Sequence, residues 1–254
     1  MFIFSINKCS LYRILHICML MVIFTSVAQA APVSWWTADL TTADAVDSNP
    51  GTLVGDTIYT AGKIGQAFQF DGNSDYVNVP SNTNLQIYNT VSIVFWAKRT
   101  NLNNIDIVLE KGGDWTLNST NYGVGLHNSC NNYMFYFFYS GGWQGTPGVQ
   151  DLNWHQYAAV AQNGQTSLTL YIDGTPYIST IHGGNTTITF ATNNCDLHFG
   201  AQVGGFNYYS SIILDEIGIY NYALSNGDVQ YIYQHGRDPV LIPHFNPGIF
   251  LLLD

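Results

Sequence analysis

Basic residues are what this sequence has least of. Seven Lys and Arg stand against 17 Asp and Glu in 254 residues, and charged side chains make up only 9%, where an ordinary domain has about 25%. A polyanionic ligand needs clustered cations to neutralise its phosphates. Lys63, Lys98, Arg99, Lys111 and Arg237 are scattered along the chain, which excludes nucleic acid as a partner. There is no G-x-S-x-G nucleophile motif and no C-x-x-C pair, and no Pro/Gly/Ser-rich linker divides the chain. What is present is apolar: 46% hydrophobic and 15% aromatic residues supply enough surface to offset the entropy of ordering, so the chain folds. With so few charges the solvated face is built from Asn, Ser, Thr and Gly, which suits a β-sheet surface better than a helical one.

The first 30 residues read as an export signal. Lys8 and Arg13 precede an apolar stretch, Ile14 to Phe24, and Ala28-Gln29-Ala30 supplies the small-x-small cleavage pattern, placing the cut after Ala30. The stretch is about half of the roughly 20 residues that span a bilayer. The mature chain is therefore expected outside the cytoplasm, secreted or at the cell surface, with no membrane span of its own. Removing residues 1–30 takes two cations and no anions, leaving a net charge of −12 from 5 basic and 17 acidic groups. Cys9 and Cys18 leave with the signal. Cys130 and Cys195 remain, and an even pair in an exported chain points to one disulfide, with two separate thiols as the alternative.

Short apolar or alternating runs recur at Ala67–Phe70, Tyr76–Val79, Val91–Ala97, Ile105–Leu109, Met134–Tyr139, Trp154–Ala161, Ser167–Ile172, Thr187–Phe190, Leu197–Gly200 and Ile212–Tyr220. Turn dipeptides such as Asn163-Gly164 and Asp173-Gly174 separate them. One segment reads as helix: Ser225 caps it, Asp228 sits three residues on, Val229, Ile232 and Tyr233 form a stripe, and Gly236 closes it. The pattern predicts an all-β, antiparallel two-sheet jelly-roll sandwich over residues 31–236, with one short C-terminal helix and a Pro-interrupted tail over 237–254.

Trp35-Trp36-Thr37-Ala38-Asp39, Asp44 to Leu53, Gly62 to Gly72 and Asp75-Tyr76-Val77 resemble the opening of a laminin-G-like jelly-roll domain of the concanavalin A-like lectin/glucanase superfamily. Asn153 to Tyr157, Leu170 to Gly174 and Leu214 to Ser225 are similar to its later blocks, in the same order. The resemblance implies the fold directly and the function only broadly, since this architecture hosts binders and enzymes alike. It also implies a loop-stapling Ca²⁺ held by Asp44 and Asp215, with Asp47 and Asn49 from the intervening loop completing the shell. The alternative is that these Asp side chains close Asx turns and cap strand ends.

Retaining glucanases of this architecture need two carboxylates about 5–5.5 Å apart. Alternation along a strand sends Asp215 and Glu216 to opposite faces, and the only other Glu of the mature chain, Glu110, reads as a solvated pair with Lys111. No catalytic residues are assigned. Sugar binding asks instead for aromatics in Gly-rich connections beside amides, and Trp115, Trp143, Asn207, Tyr208 and Tyr209 qualify. The expectation is a secreted, non-catalytic carbohydrate-binding or adhesion module whose partner is a glycan or an extracellular protein. A protein-binding adhesive module and a glycoside hydrolase are the alternatives.

Overall fold

The computed structural model describes residues 31–113, 119–129, 132–202 and 207–236. The expected signal (1–30), the tail (237–254), Trp115 and Cys130 lie outside the described residues. Two eight-stranded sheets face each other. Across the front sheet the order is β14 (Thr180–Gly184), β10 (Gly142–Pro147), β9 (Asn132–Tyr139), β8 (Tyr122–Ser129), β7 (Asp106–Lys111), β15 (Leu197–Phe199), β5 (Tyr76–Val79) and β2 (Thr52–Val54). The back sheet runs β13 (Thr175–Ile178), β12 (Thr169–Ile172), β11 (His155–Gln162), β6 (Thr90–Arg99), β18 (Ser211–Tyr220), β4 (Gln66–Asp71) and β3 (Ile58–Ala61), with β1 (Ser34–Trp36) also paired to β18. A small hairpin, β16 (Ala201–Gln202) with β17 (Tyr208–Tyr209), stands beside them. All pairings are antiparallel, as the alternating runs require.

Alternation sorts the side chains. On β9, Phe135, Phe137 and Tyr139 enter the core between the sheets while Tyr136 and Phe138 join a separate cluster on the outer face. On β6, Val91, Ile93, Phe95 and Ala97 enter the same core, and Val94 lies in the cluster beneath helix α1 (Asn226–His235) on the other side. The helix is capped as its sequence implies. Ser225 accepts from the Asp228 N–H, Asp228 accepts from the Ser225 N–H, and Gly236 closes the end at φ 82°. Val229 and Ile232 are buried under it, while Tyr233 stacks on Trp96 at 5.6 Å with Lys63 Nζ 4.5 Å from the Trp96 ring centroid.

Several expectations need correction. Thr187–Phe190 is not a strand: Ile188 and Phe190 enter the core from irregular backbone. Trp36 and Trp96 are buried as expected, whereas Trp154 is only half-buried. Asp215 and Glu216 do not point to opposite faces. A bulge interrupts the β18–β6 register between Asp215 and Gly218, with Glu216 at φ 50°, so Leu214 and Ile217 both enter the core and the two acids between them turn outward. Glu216 there accepts the Trp35 indole N–H at 2.5 Å. Glu110 and Lys111 are not a solvated pair: both are fully buried on β7. Lys111 Nζ donates to Ser81, Asn193 and the Cys195 carbonyl, which anchors the approach to β15.

Cys195 is a free, half-buried thiol two residues before Leu197, which pairs with Lys111, and its expected partner Cys130 lies outside the described residues.

Candidate functional site: an aromatic groove on the front sheet

Cross-strand partners share a face, and one row can be followed across the outer side of the front sheet: Gly183, Trp143, Phe138, Gly123, Glu110, His198 and Asn78, one from each of seven consecutive strands. A second row runs Gly145, Tyr136, Gly125, Ile107. Each of the three large rings in these rows lies across a glycine partner. A Cβ on Gly123 would stand 2.2 Å from the Phe138 ring, one on Gly125 2.5 Å from the Tyr136 ring, and one on Gly183 2.6 Å from Trp143 Nε1. The glycines let the rings lie flat and make a floor rather than a row of upright side chains.

A cavity of about 160 Å³ opens over this floor, walled by Ile105, Ile107 and Phe138, with Trp143 at one end and Gln202 and Tyr208 at the other. Trp143 is ordered from both sides, stacked on His182 at 5.2 Å and 17° and meeting the Tyr136 ring edge-on at 5.7 Å. His127 lies edge-on to Tyr136 at 6.1 Å, and burial, reinforced by the Arg99 charge, lowers its pKa and keeps the imidazole neutral. Glu110 sits behind the wall with no exposed surface, its Oε1 accepting from Thr120 Oγ1 at 3.1 Å and from Gln202 Nε2 at 3.3 Å. The polar side of the groove is the β16–β17 hairpin, where Gln202 and Tyr208 are register partners.

Of the residues expected to bind ligand, Trp143 and Tyr208 line this groove. Trp143 does so from a strand rather than a turn. Tyr209 faces the other way, toward Tyr76 at 6.4 Å, and Asn207 is exposed at φ 51° where the hairpin begins its second strand. Tyr136, Phe138, Ile107 and Gln202 were not anticipated. The signal that could have found them is the pairing of glycine-bearing and aromatic runs, Tyr122 to Leu126 against Met134 to Phe138.

The expected calcium ligands Asp44, Asp47 and Asp215 each accept hydrogen bonds from N–H groups. Asp44 Oδ1 accepts the Trp35 and Val46 N–H groups at 2.9 and 3.0 Å, and its Oδ2 accepts from the Asn49 amide at 3.3 Å. Asp47 accepts from Ser48 N–H and from Asn84 Nδ2, and Asp215 Oδ2 takes the Ile64 N–H at 2.9 Å on a different turn. These are Asx-turn and loop-pinning uses of Asp. Asn49 Oδ1 and Asp215 Oδ1 are both buried without a hydrogen-bond partner, while Asp215 Oδ2 and both oxygens of Asp44 and of Asp47 accept from N–H groups. Among the described residues, the acidic group with ligand atoms mutually within 4.8 Å is Asp56, Asp71 and Asp75. It lies outside the expected set.

The buried acids set a pH dependence. Burial raises Asp106 to about 6 from 3.8 despite the attraction of Arg99. It raises Asp215 to about 6 despite N–H donors from Ile64, Lys63 and Glu216. His155 is also raised: burial opposes the imidazolium, but Asp173 at 2.6 Å and Asp151 at 3.0 Å grip both ring nitrogens and outweigh it. A group whose pKa is higher folded than unfolded holds its proton more tightly in the native state. For the two carboxyls, stability therefore declines as pH rises from 3.8 toward 6, by up to about 1.4 kcal/mol per pH unit for each. The His155 contribution is present in full below pH 6.5 and is lost as pH rises through its elevated pKa. Urea midpoints are expected to be higher near pH 5.5 than near pH 8, and Asp215→Asn should flatten the difference. A midpoint that rises toward pH 8 would contradict this assignment.

Two packed antiparallel sheets with an aromatic groove on the outer face of one define a lectin-like β-sandwich. The chain belongs to the Laminin_G_3 family, described as the Concanavalin A-like lectin/glucanases superfamily, which it matches over residues 71–230. Among solved structures it is similar to domain 4 of AbnA, an extracellular arabinanase from Geobacillus stearothermophilus solved with arabinotriose, with a TM-score of 0.63 and 22% identity over 81% of this chain and 99% of that one. It is also similar to the receptor binding domain of botulinum neurotoxin C/D mosaic serotype, with a TM-score of 0.60, 14% identity and coverage of 80% and 51%. A third likeness is to the binding domain of botulinum neurotoxin DC in complex with SialylT, with a TM-score of 0.58, 14% identity and coverage of 82% and 52%. The chain spans about half the length of these toxin domains. No curated protein sequence matches it. Among the described residues, no helix is long and apolar enough to cross a membrane.

Proposed function

We propose that this chain is an exported, non-catalytic module that binds a glycan in the front-sheet groove. The observation that carries this reading is the floor of Trp143, Tyr136 and Phe138 laid over glycine partners, with Gln202 and Tyr208 also lining the cavity. Sugars dock by placing C–H faces on aromatic rings while amides and hydroxyls bond their hydroxyl groups. The arabinotriose in the arabinanase domain is consistent with that use of the fold.

A hydrolase reading is disfavoured by the acids nearest the groove. Asp106 and Glu110 are four residues apart on β7, about 13 Å, beyond both the roughly 5–5.5 Å of retaining and the roughly 6.5–9.5 Å of inverting pairs. A register shift between Ile107 and Leu109 also sends Val108 and Leu109 successively into the core, so the two acids leave the strand on opposite faces. Asp106 is moreover held by Arg99 at 2.8 Å.

The test is retention on a panel of immobilised polysaccharides, in calcium and in chelator, with reducing ends assayed on every one that binds. Trp143→Ala is expected to weaken retention at least tenfold, about 1.4 kcal/mol. Chelator should change nothing, because the described residues lining the groove include no carboxylate for calcium to bind. Unchanged retention by the variant would refute the site, and release of reducing ends would refute the non-catalytic reading. A protein partner is the second reading, favoured by the exposed Tyr177, Ile178 and Ile181 (40%, 70% and 45%) on the edge strands β13 and β14.

A further inference from the structure

Resting on the sugar-binding reading, we propose that the groove selects a terminal, uncharged pyranose by a methyl group carried on one edge, the shared chemistry of 6-deoxyhexoses and N-acetylhexosamines. The first ground is size. A cavity of about 160 Å³ is well below the roughly 300–1,000 Å³ of sites that enclose drug-sized ligands. It admits the end of a chain, one ring deep, and not a run of residues.

The second ground is the wall. Ile105, Ile107 and Phe138 offer no donor or acceptor side chain, while Gln202 and Tyr208 are register partners on the hairpin that packs against β7. A ring lying on the floor meets hydrocarbon where these three residues line the cavity and polar groups elsewhere on its edge. A hydroxyl turned to the hydrocarbon edge would be buried without a partner, which is unfavourable. A methyl in the same place buries apolar surface instead.

The third ground is charge. Among the described residues, no ionised group is offered to the ligand. Glu110 is fully buried, with Thr120 and Gln202 on its Oε1, and Arg99 and Asp106 neutralise each other. The imidazole of His127 is kept neutral by burial and by the Arg99 charge. An acidic sugar would meet no cation here, and an amino sugar with a free ammonium would meet no accessible anion. Both modified and unmodified neutral sugars pass this filter, and the apolar wall then decides between them.

The experiment is titration calorimetry of residues 31–254 with matched methyl glycosides: 6-deoxyglucoside against glucoside, 6-deoxygalactoside against galactoside, and N-acetylglucosaminide against N-formylglucosaminide. At least one methyl-bearing member is expected to bind tenfold or more tightly than its parent, and the pair that shows it identifies which source of methyl the groove takes. Ile107→Thr should erase that preference. Because Ile107 is buried and its substitution costs stability, Ile105→Thr at the partly buried rim provides the same readout with less strain on the core. Parents that bind as well as the methyl sugars, or a preference unmoved by both variants, overturn the proposal and leave the sugar-binding reading standing. Failure of every glycoside and every immobilised polysaccharide to bind overturns both.

Discussion

Asp106→Ala is expected to lower the stability of the fold by about 3–5 kcal/mol, a large share of the roughly 5–15 kcal/mol typical of a whole domain. Asp106 opens β7 of the front sheet and Arg99 closes β6 of the back sheet, so their 2.8 Å ion pair ties the two sheets together where both strands end. The pair is almost entirely out of solvent, at 0% and 5% exposure. Its spare groups are used: Arg99 also donates to the Asn104 carbonyl at 2.6 Å, and Asp106 Oδ1 accepts the Ser211 N–H at 3.1 Å. Removing the carboxylate leaves a guanidinium buried without its counter-charge and unties the first residue of β18. Replacing both partners by apolar residues, as in Arg99→Met with Asp106→Leu, should recover most of the loss, since a well-packed pair avoids the desolvation of two charges. Chemical denaturation of the two proteins decides the matter. An alanine variant within about 1 kcal/mol of wild type would show that the pair contributes little.

Gly125→Ala is expected to abolish glycan retention while the protein stays folded. The added methyl would stand 2.5 Å from the Tyr136 ring and 2.8 Å from the Asp106 carbonyl oxygen. The backbone oxygen cannot move aside, so the ring must lift off β8 into the space a ligand would occupy. Overpacking of this kind costs about 1–3 kcal/mol, whereas the cavity itself is lost. Gly123→Ala acts through Phe138 in the same way, with a smaller effect because only a ring edge must yield. Gly227→Ala in α1 is the matched control, its Cβ meeting nothing closer than Ser225 Oγ at 3.7 Å. It should leave binding unchanged and add up to about 1 kcal/mol of stability. Undiminished retention by Gly125→Ala would show that the floor does not depend on the glycine column.

The elements legible in the sequence are those whose information is local. β4, β6, β9 and β18 alternate or run apolar, and α1 carries its own cap and stop within twelve residues, from Ser225 to Gly236. β8 and β10 were not among the expected strands because Gly123 and Gly125, and Gly142 and Gly145, interrupt their apolar alternation. The reason for glycine there is an aromatic ring on a neighbouring strand, and that information lies elsewhere in the chain. The same holds for Glu110 and Lys111, whose burial depends on Thr120, Gln202, Ser81 and Asn193. Alternation failed at Asp215 and Glu216 for a related cause, since the bulge that turns both outward is a property of the pairing with β6. Trp143 and Tyr208 were found for their company, aromatics beside glycine and amide. The rest of the groove is a property of register.

The position of β18 also fixes the order in which the molecule can be completed. This strand lies in the middle of the back sheet, between β6 and β4, and pairs with β1 as well, yet it is the last strand in sequence among the described residues. Until Ser211 to Tyr220 arrive, β4 with β3 forms one fragment and β6 with β11 to β13 another, each with an open backbone edge. A nascent chain emerging from the N-terminus therefore reaches the native pairing of this sheet only once residues 211–220 have been made, after closing loops of well over a hundred residues. Folding of this sandwich is posed as a single late event, and any chain ending before Ser211 carries two unsealed edges ready to pair with another copy.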